Sequence, residues 1–83
     1  MDVQEVERVV RERGKLYGHP SVNFSNIAQG WEVILGVPVS SQQVALCMMW
    51  LKICREANKP TDDNLVDIVG YAICYDMLHQ GDS

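Results

Sequence analysis

Several things are scarce in this 83-residue sequence, and each scarcity removes a class of function. The opening Met1-Asp2-Val3-Gln4-Glu5 has neither the basic start nor the apolar run of a signal peptide. The longest apolar stretch, Val44 to Leu51, falls far short of the roughly 18 residues that span a bilayer. A soluble, intracellular protein is expected, with no membrane partner. Basic residues are few: seven Lys and Arg against eleven Asp and Glu leave a net charge of -4. Duplex affinity comes mainly from cations neutralising phosphates, so direct nucleic-acid binding is not expected. Cysteines number three, Cys47, Cys54 and Cys74, each inside an apolar stretch. Without Cys-x-x-Cys spacing or a nearby His they do not suggest zinc, and they read as reduced core thiols. No Ser/His/Asp grouping and no Cys beside a His supports nucleophilic catalysis.

What remains is a globular composition, 47% hydrophobic and 22% charged, in one domain, residues 1–83. A domain this short buries only about 60% of the surface its unfolded chain exposes, so something should supplement the core.

Four segments repeat apolar residues at helical spacing and none alternates over a strand's length, which predicts an all-α, compact four-helix domain. The expected helices are about 3–16, 22–35, 41–57 and 62–79. The first has Asp2 and Glu5 in capping-box positions, Val3, Val6, Val9 and Val10 on one face, and Glu7, Arg8, Arg11 and Glu12 on the other. The second follows Pro20, lines up Phe24, Ile27, Ala28, Trp31, Ile34 and Leu35, and stops at Gly36. A second capping box, Ser40 with Gln43, opens a third helix with a single charge, Lys52, between Val44 and Cys54. Thr61 can cap the fourth helix, whose first turn holds Asp62 and Asp63. It is apolar almost all round, and Gly70 in its middle suggests a close helix crossing. Two helices that are apolar all round need more cover than two short amphipathic partners give. A homodimer or higher homo-oligomer is therefore expected, with the third and fourth helices near the interface. Trp31, Trp50, Met48, Met49 and Met77 read as core.

Two constellations carry chemistry. Gly14-Lys15-Leu16-Tyr17-Gly18-His19-Pro20, followed by Asn23, places a cation, a phenol, an imidazole and an amide around one turn. This spacing is not that of a phosphate loop. The turn reads either as a helix-to-helix corner with Tyr17 packed inward, or as the lining of a site for a polar or anionic ligand. Asp63 and Asp67 lie four apart on one helix face with Tyr71 a turn further on, and two such carboxylates can hold Mg2+. Asp67, set among Leu65, Val66, Ile68 and Val69, needs a partner. Lys52 or Arg55 can pair with it across the third and fourth helices, or those cations can face a phosphate instead. The candidate ligand-binding residues are thus Lys15, Tyr17, His19, Asn23, Lys52, Arg55, Asp63, Asp67 and Tyr71, with no catalytic residue assigned.

Gly14-Lys15-x-Tyr17-Gly18, Asn23-Phe24, Ile27-Ala28 with Trp31, Leu51-Lys52-Ile53-x-Arg55 and Asp63-Asn64-x-x-Asp67-Ile68-x-Gly70-Tyr71-Ala72 resemble a group of small helical proteins encoded largely by phages and prophages. The resemblance runs from about Arg13 to Leu78, and its last motif is the most specific. That group usually has an acidic residue where this sequence has His19. The resemblance implies a protein of a bacterial host's cytoplasm, without an assigned activity. By analogy it modulates host processes, as an inhibitor of a host or defence-system protein or as a binder of a small nucleotide-like molecule. A net charge of -4 favours a basic surface on any protein partner.

More distantly, the chain is similar to MazG-type all-α nucleotide pyrophosphohydrolases. These oligomers use Mg2+ held by a Glu-Glu-x-x-Glu helix and a Glu-x-x-Asp helix. Only Asp63 and Asp67 offer a loose counterpart; Glu32 stands alone, and Gln42 and Gln43 occupy positions where carboxylates would be needed. The expectation is a non-enzymatic protein without a cofactor. The alternative is an Mg2+-dependent pyrophosphohydrolase.

Overall fold

The computed structural model describes residues 1–79, so residues 80–83 of the expected domain lie outside the described residues. Four helices follow in chain order: α1 (Val3–Tyr17), α2 (Pro20–Leu35), α3 (Ser41–Asn58) and α4 (Asp62–His79), with no strand among the described residues. The all-α four-helix expectation holds.

Helix boundaries follow from local chemistry. Asp2 Oδ1 accepts the Gln4 N–H at 2.9 Å, but the capping box stays half made, because the Glu5 carboxylate lies 2.6 Å from Arg8, which also reaches Glu12 at 2.8 Å. Gly18, at φ 94° and ψ 165°, ends α1 in a region of backbone space that is nearly glycine's alone. His19 then caps α2: its Nδ1 accepts the Ser21 N–H at 3.1 Å. Pro20 fills the first helical position, where its missing N–H costs nothing, so α2 starts two residues earlier than its apolar pattern suggests. Position 19 is thus an N-cap, a role that an acidic side chain and an imidazole nitrogen both fill.

Gly36, at φ 73° and ψ 20°, turns the chain out of α2, and Glu32 Oε1 accepts the Val39 N–H at 3.0 Å to hold the turn. Ser40 and Gln43 make the complete capping box, with bonds of 3.1 and 2.8 Å. Between α3 and α4, Glu56 Oε1 accepts from the Thr61 N–H at 3.0 Å and from Asn64 Nδ2 at 3.3 Å, while Thr61 Oγ1 accepts the Asn64 N–H at 3.1 Å. These bonds fix the register of α4 on α3.

α4 is the central helix and packs on α3, α1 and α2, whereas α1 rests chiefly on α4. The core joins Phe24 and Ala28 of α2, Val44 and Ala45 of α3 and Leu78 of α4, with Ile27, Trp31, Val39, Met48, Tyr71, Cys74 and Tyr75 around it. Val6 anchors α1.

Three expectations about burial need correction. Cys47 and Cys54 are exposed, not core thiols, and Trp50 is 65% exposed. Ile34 and Leu35 also face outward, at 80% and 61%. Of the two mostly apolar helices, α4 packs on all three others and is half-buried along most of its length, with Leu78 buried, whereas α3 is covered on one side only, so its remaining apolar side chains stay outside. The radius of gyration, 13.0 Å, exceeds the ~12 Å expected for this length, in keeping with a thin core.

Gly70 does lie at the α1–α4 crossing, yet a Cβ there would sit 3.8 Å from both Val6 Cγ1 and Val10 Cγ2, ordinary van der Waals contact. The crossing does not require glycine. Gly70→Ala is therefore expected to leave stability unchanged or raise it by up to about 1 kcal/mol, the mid-helix propensity difference. Gly36→Ala, which forces a side chain into the left-handed region, is expected to lower it by about 1 kcal/mol. Urea midpoints of the two variants check both.

Candidate ligand-binding cleft

Because α1 leans on α4 rather than on α2, a cleft of about 320 Å³ opens between α1, α2 and α4. Its size is at the small end of the range for small-molecule sites. Val6, Val9 and Val10 line the α1 wall, Phe24 and Ile27 the α2 wall, and Val66, Gly70, Tyr71 and Cys74 the α4 floor. Phe24 and Tyr71 hold each other at a centroid distance of 6.2 Å and a tilt of 45°. Four polar side chains also line it: Arg13, Tyr17, Asn23 and Asp67.

Asp67 does not reach the cleft as an isolated charge. Lys52 Nζ lies 2.9 Å from Asp67 Oδ2, with the two side chains 16% and 23% exposed. Of the two cations proposed for Asp67, Lys52 is the one that pairs with it; Arg55 is exposed and makes no ion pair among the described residues. The pair sits where the Glu56–Asn64 bonds lock α4 onto α3, so the loop chemistry sets its geometry. A lone charge at either position would be costly, and together they carry none to the cleft. Arg13 is then the cation that the cleft presents.

Cys74 is half-buried in the cleft floor. Loss of water around it pushes the thiol above its ordinary pKa of 9.0, and the opposing pull of the Arg13 charge is the weaker effect. A neutral thiol is a poor nucleophile.

The other sequence candidates are dispersed. Tyr17, Asn23, Asp67 and Tyr71 share the cleft. Tyr17 is 64% exposed, which overturns its reading as an inward-packed corner residue. Lys15 and His19 line a shallower groove with Met77, on the far side of Gly14 and Pro20 from the cleft. Asp63 and Arg55 line neither. No group of three or more His, Cys, Asp or Glu that could hold a metal occurs among the described residues. Arg13 was missed, although Val6, Val10, Arg13 and Tyr17 follow one another at steps of four, three and four residues, which places them on one face of α1.

A profile of the family described as a domain of unknown function, DUF6378, matches residues 3–79, nearly the whole chain. The chain belongs to the DUF6378 family. Among curated proteins, the DUF6378 chain is similar to the Gene 55 protein of Mycobacterium phage D29, at 34% identity over 80 residues. The match takes in 94% of this chain and 53% of that protein, so the chain spans about half the length of its phage relative. No solved structure shows significant similarity to it.

In the DUF6378 protein, Asp67→Ala leaves Lys52 half-buried and alone, and is expected to cost about 1–3 kcal/mol, below the range for fully buried pairs. The double replacement Lys52→Met with Asp67→Leu should recover most of that loss. Chemical denaturation of the three proteins measures it. For Cys74, alkylation followed by mass spectrometry at pH 8 should label Cys47 and Cys54 well before Cys74. Because the Cys74 pKa is raised on folding, its contribution to stability is complete below pH 9 and is lost as pH climbs through the folded value.

Proposed function

We propose that this DUF6378 protein is a non-enzymatic, phage-type accessory protein. In this reading it acts as a homodimer or higher oligomer and holds a small nucleotide-like ligand in the α1–α2–α4 cleft, modulating host processes by binding without turnover. The observation that carries the reading is the cleft itself: apolar walls and two packed aromatic rings under a rim of Arg13, Tyr17 and Asn23. A flat base can lie between the aliphatic wall of α1 and the half-buried Tyr71 ring, which the buried Phe24 ring backs. The Asn23 amide offers both donor and acceptor to a base edge, and Arg13 offers a forked donor to a phosphate. With Lys52 neutralised by Asp67 and a chain charge of -4, a single rim cation suits a nucleoside or its monophosphate better than a triphosphate.

A MazG-like pyrophosphohydrolase has less support. It would need Asp63 and Asp67 to converge on Mg2+, yet Asp63 lies outside the cleft and an Asp67 oxygen is engaged by Lys52. A host or defence-system protein as the target would use surface rather than cleft.

Titration calorimetry with nucleosides, nucleoside monophosphates and nucleoside triphosphates tests the reading. Monophosphate binding is expected, weakened about tenfold or more by Arg13→Ala, while the parent nucleoside is affected little. Tyr17→Ala should weaken both. A folded protein that binds none of the panel rules the reading out. Pyrophosphate release from triphosphates with Mg2+, abolished by Asp67→Asn, would put the hydrolase in its place.

A further inference from the structure

The cleft and the shallower groove beside it meet at three residues, because Val10, Gly14 and Pro20 line both. Gly14 lies inside α1 without a positive φ, and a Cβ built on it would meet nothing within 4 Å. Neither backbone conformation nor a close crossing asks for glycine there, although within a helix it costs about 1 kcal/mol against Ala. Its bare Cα leaves the space between the two recesses open. Across that space the cations divide. Arg13 and Lys15 stand two residues, about 200°, apart on α1, so they leave the helix on opposite flanks. Arg13 lines the cleft, whereas Arg11, four residues before Lys15 and on its flank, lines the groove with Lys15 and His19.

The groove suits an anion. Eleven Asp and Glu outnumber seven Lys and Arg in the chain, yet among the described residues no carboxylate lines this groove. Arg11 and Lys15 make no ion pair among the described residues, whereas Arg8 is held by Glu5 and Glu12, and Lys52 by Asp67. His19 adds a donor: its Nδ1 accepts the Ser21 N–H at 3.1 Å, so the neutral ring carries its proton on Nε2. We infer that cleft and groove form one site for a nucleotide whose two phosphates are set apart by its ribose, as in a nucleoside 3′,5′-bisphosphate. The inference rests on the nucleotide reading of the cleft and names its ligand more closely. The base and the phosphate near Arg13 stay in the cleft, and the second phosphate passes Gly14 to reach Arg11 and Lys15. Cations on two flanks of a helix call for two separated anions. The consecutive phosphates of a 5′-diphosphate leave from one carbon and would both crowd the single charge of Arg13.

Titration calorimetry with adenosine and guanosine 5′-monophosphates, 5′-diphosphates and 3′,5′-bisphosphates tests it. For one of the two bases the bisphosphate should bind about tenfold or more tightly than both the monophosphate and the diphosphate, the gain from one further charged contact. Replacing Arg11 and Lys15 together by Ala, both at exposed positions, should bring the bisphosphate down to the affinity of the monophosphate. Gly14→Leu should also remove the bisphosphate's advantage, while its urea midpoint does not fall, since a helix prefers Leu to Gly and no neighbour crowds the position. A bisphosphate that binds no more tightly than the monophosphate, or whose advantage survives the double replacement, overturns the joined site and leaves the cleft reading standing. A 5′-diphosphate that gains as much as the bisphosphate overturns the ribose-spaced arrangement. A folded protein that binds neither monophosphate nor bisphosphate overturns the cleft reading and this inference together.

Discussion

Four helices of fifteen to eighteen residues include two that are apolar over much of their surface, and geometry packs only one of these on all three of its neighbours. α4 takes that place, half-buried along most of its length. α3 lends one face to the core through Val44 and Ala45 and leaves Leu46, Trp50, Leu51 and Ile53 outside. The other main features follow from that allocation. The core is thin, two of the three thiols are exposed, and α1 is left with α4 as its main support.

The cleft is the second consequence. A helix held chiefly along one neighbour leaves a gap beside the other, and α1 leaves it against α2, floored by α4. The gap keeps its shape because its floor is tied elsewhere. Glu56 and Asn64 fix where α4 starts, and the Lys52–Asp67 pair fixes it again one turn later. Removing the charge from that pair's surroundings matters as much as holding the helices, since an unpaired Asp67 beside the cleft would repel any anion that Arg13 attracts.

Much of this was legible in the sequence. Helix number, order and bounds followed from apolar periodicity and from caps such as Ser40 with Gln43, because those signals are local. The need for a partner at Asp67 was legible too, since a carboxylate among Leu65, Val66, Ile68 and Val69 has few alternatives. Burial was less so. Periodicity says which side chains share a face, but which face of α3 turns inward depends on where three other helices lie, so Cys47, Cys54 and Trp50 were placed inside wrongly. Arg13 escaped notice for a related reason: its meaning comes from Phe24 and Tyr71 on other helices, which no spacing within α1 discloses.

The last motif of the family resemblance shows how far likeness can carry function. Asn64 knits the α3–α4 turn, Asp67 pairs with Lys52, Gly70 lies at the α1 crossing and Tyr71 packs on Phe24. Apart from Gly70, which the crossing does not require, each of these residues has a structural use in this chain. A likeness carried by such residues therefore transfers a fold before it transfers an activity. What the fold does not need is a better guide. Arg13, Tyr17 and the outward face of α3 answer to no packing demand within one chain, so any function has to be sought in the cleft rim and on that face.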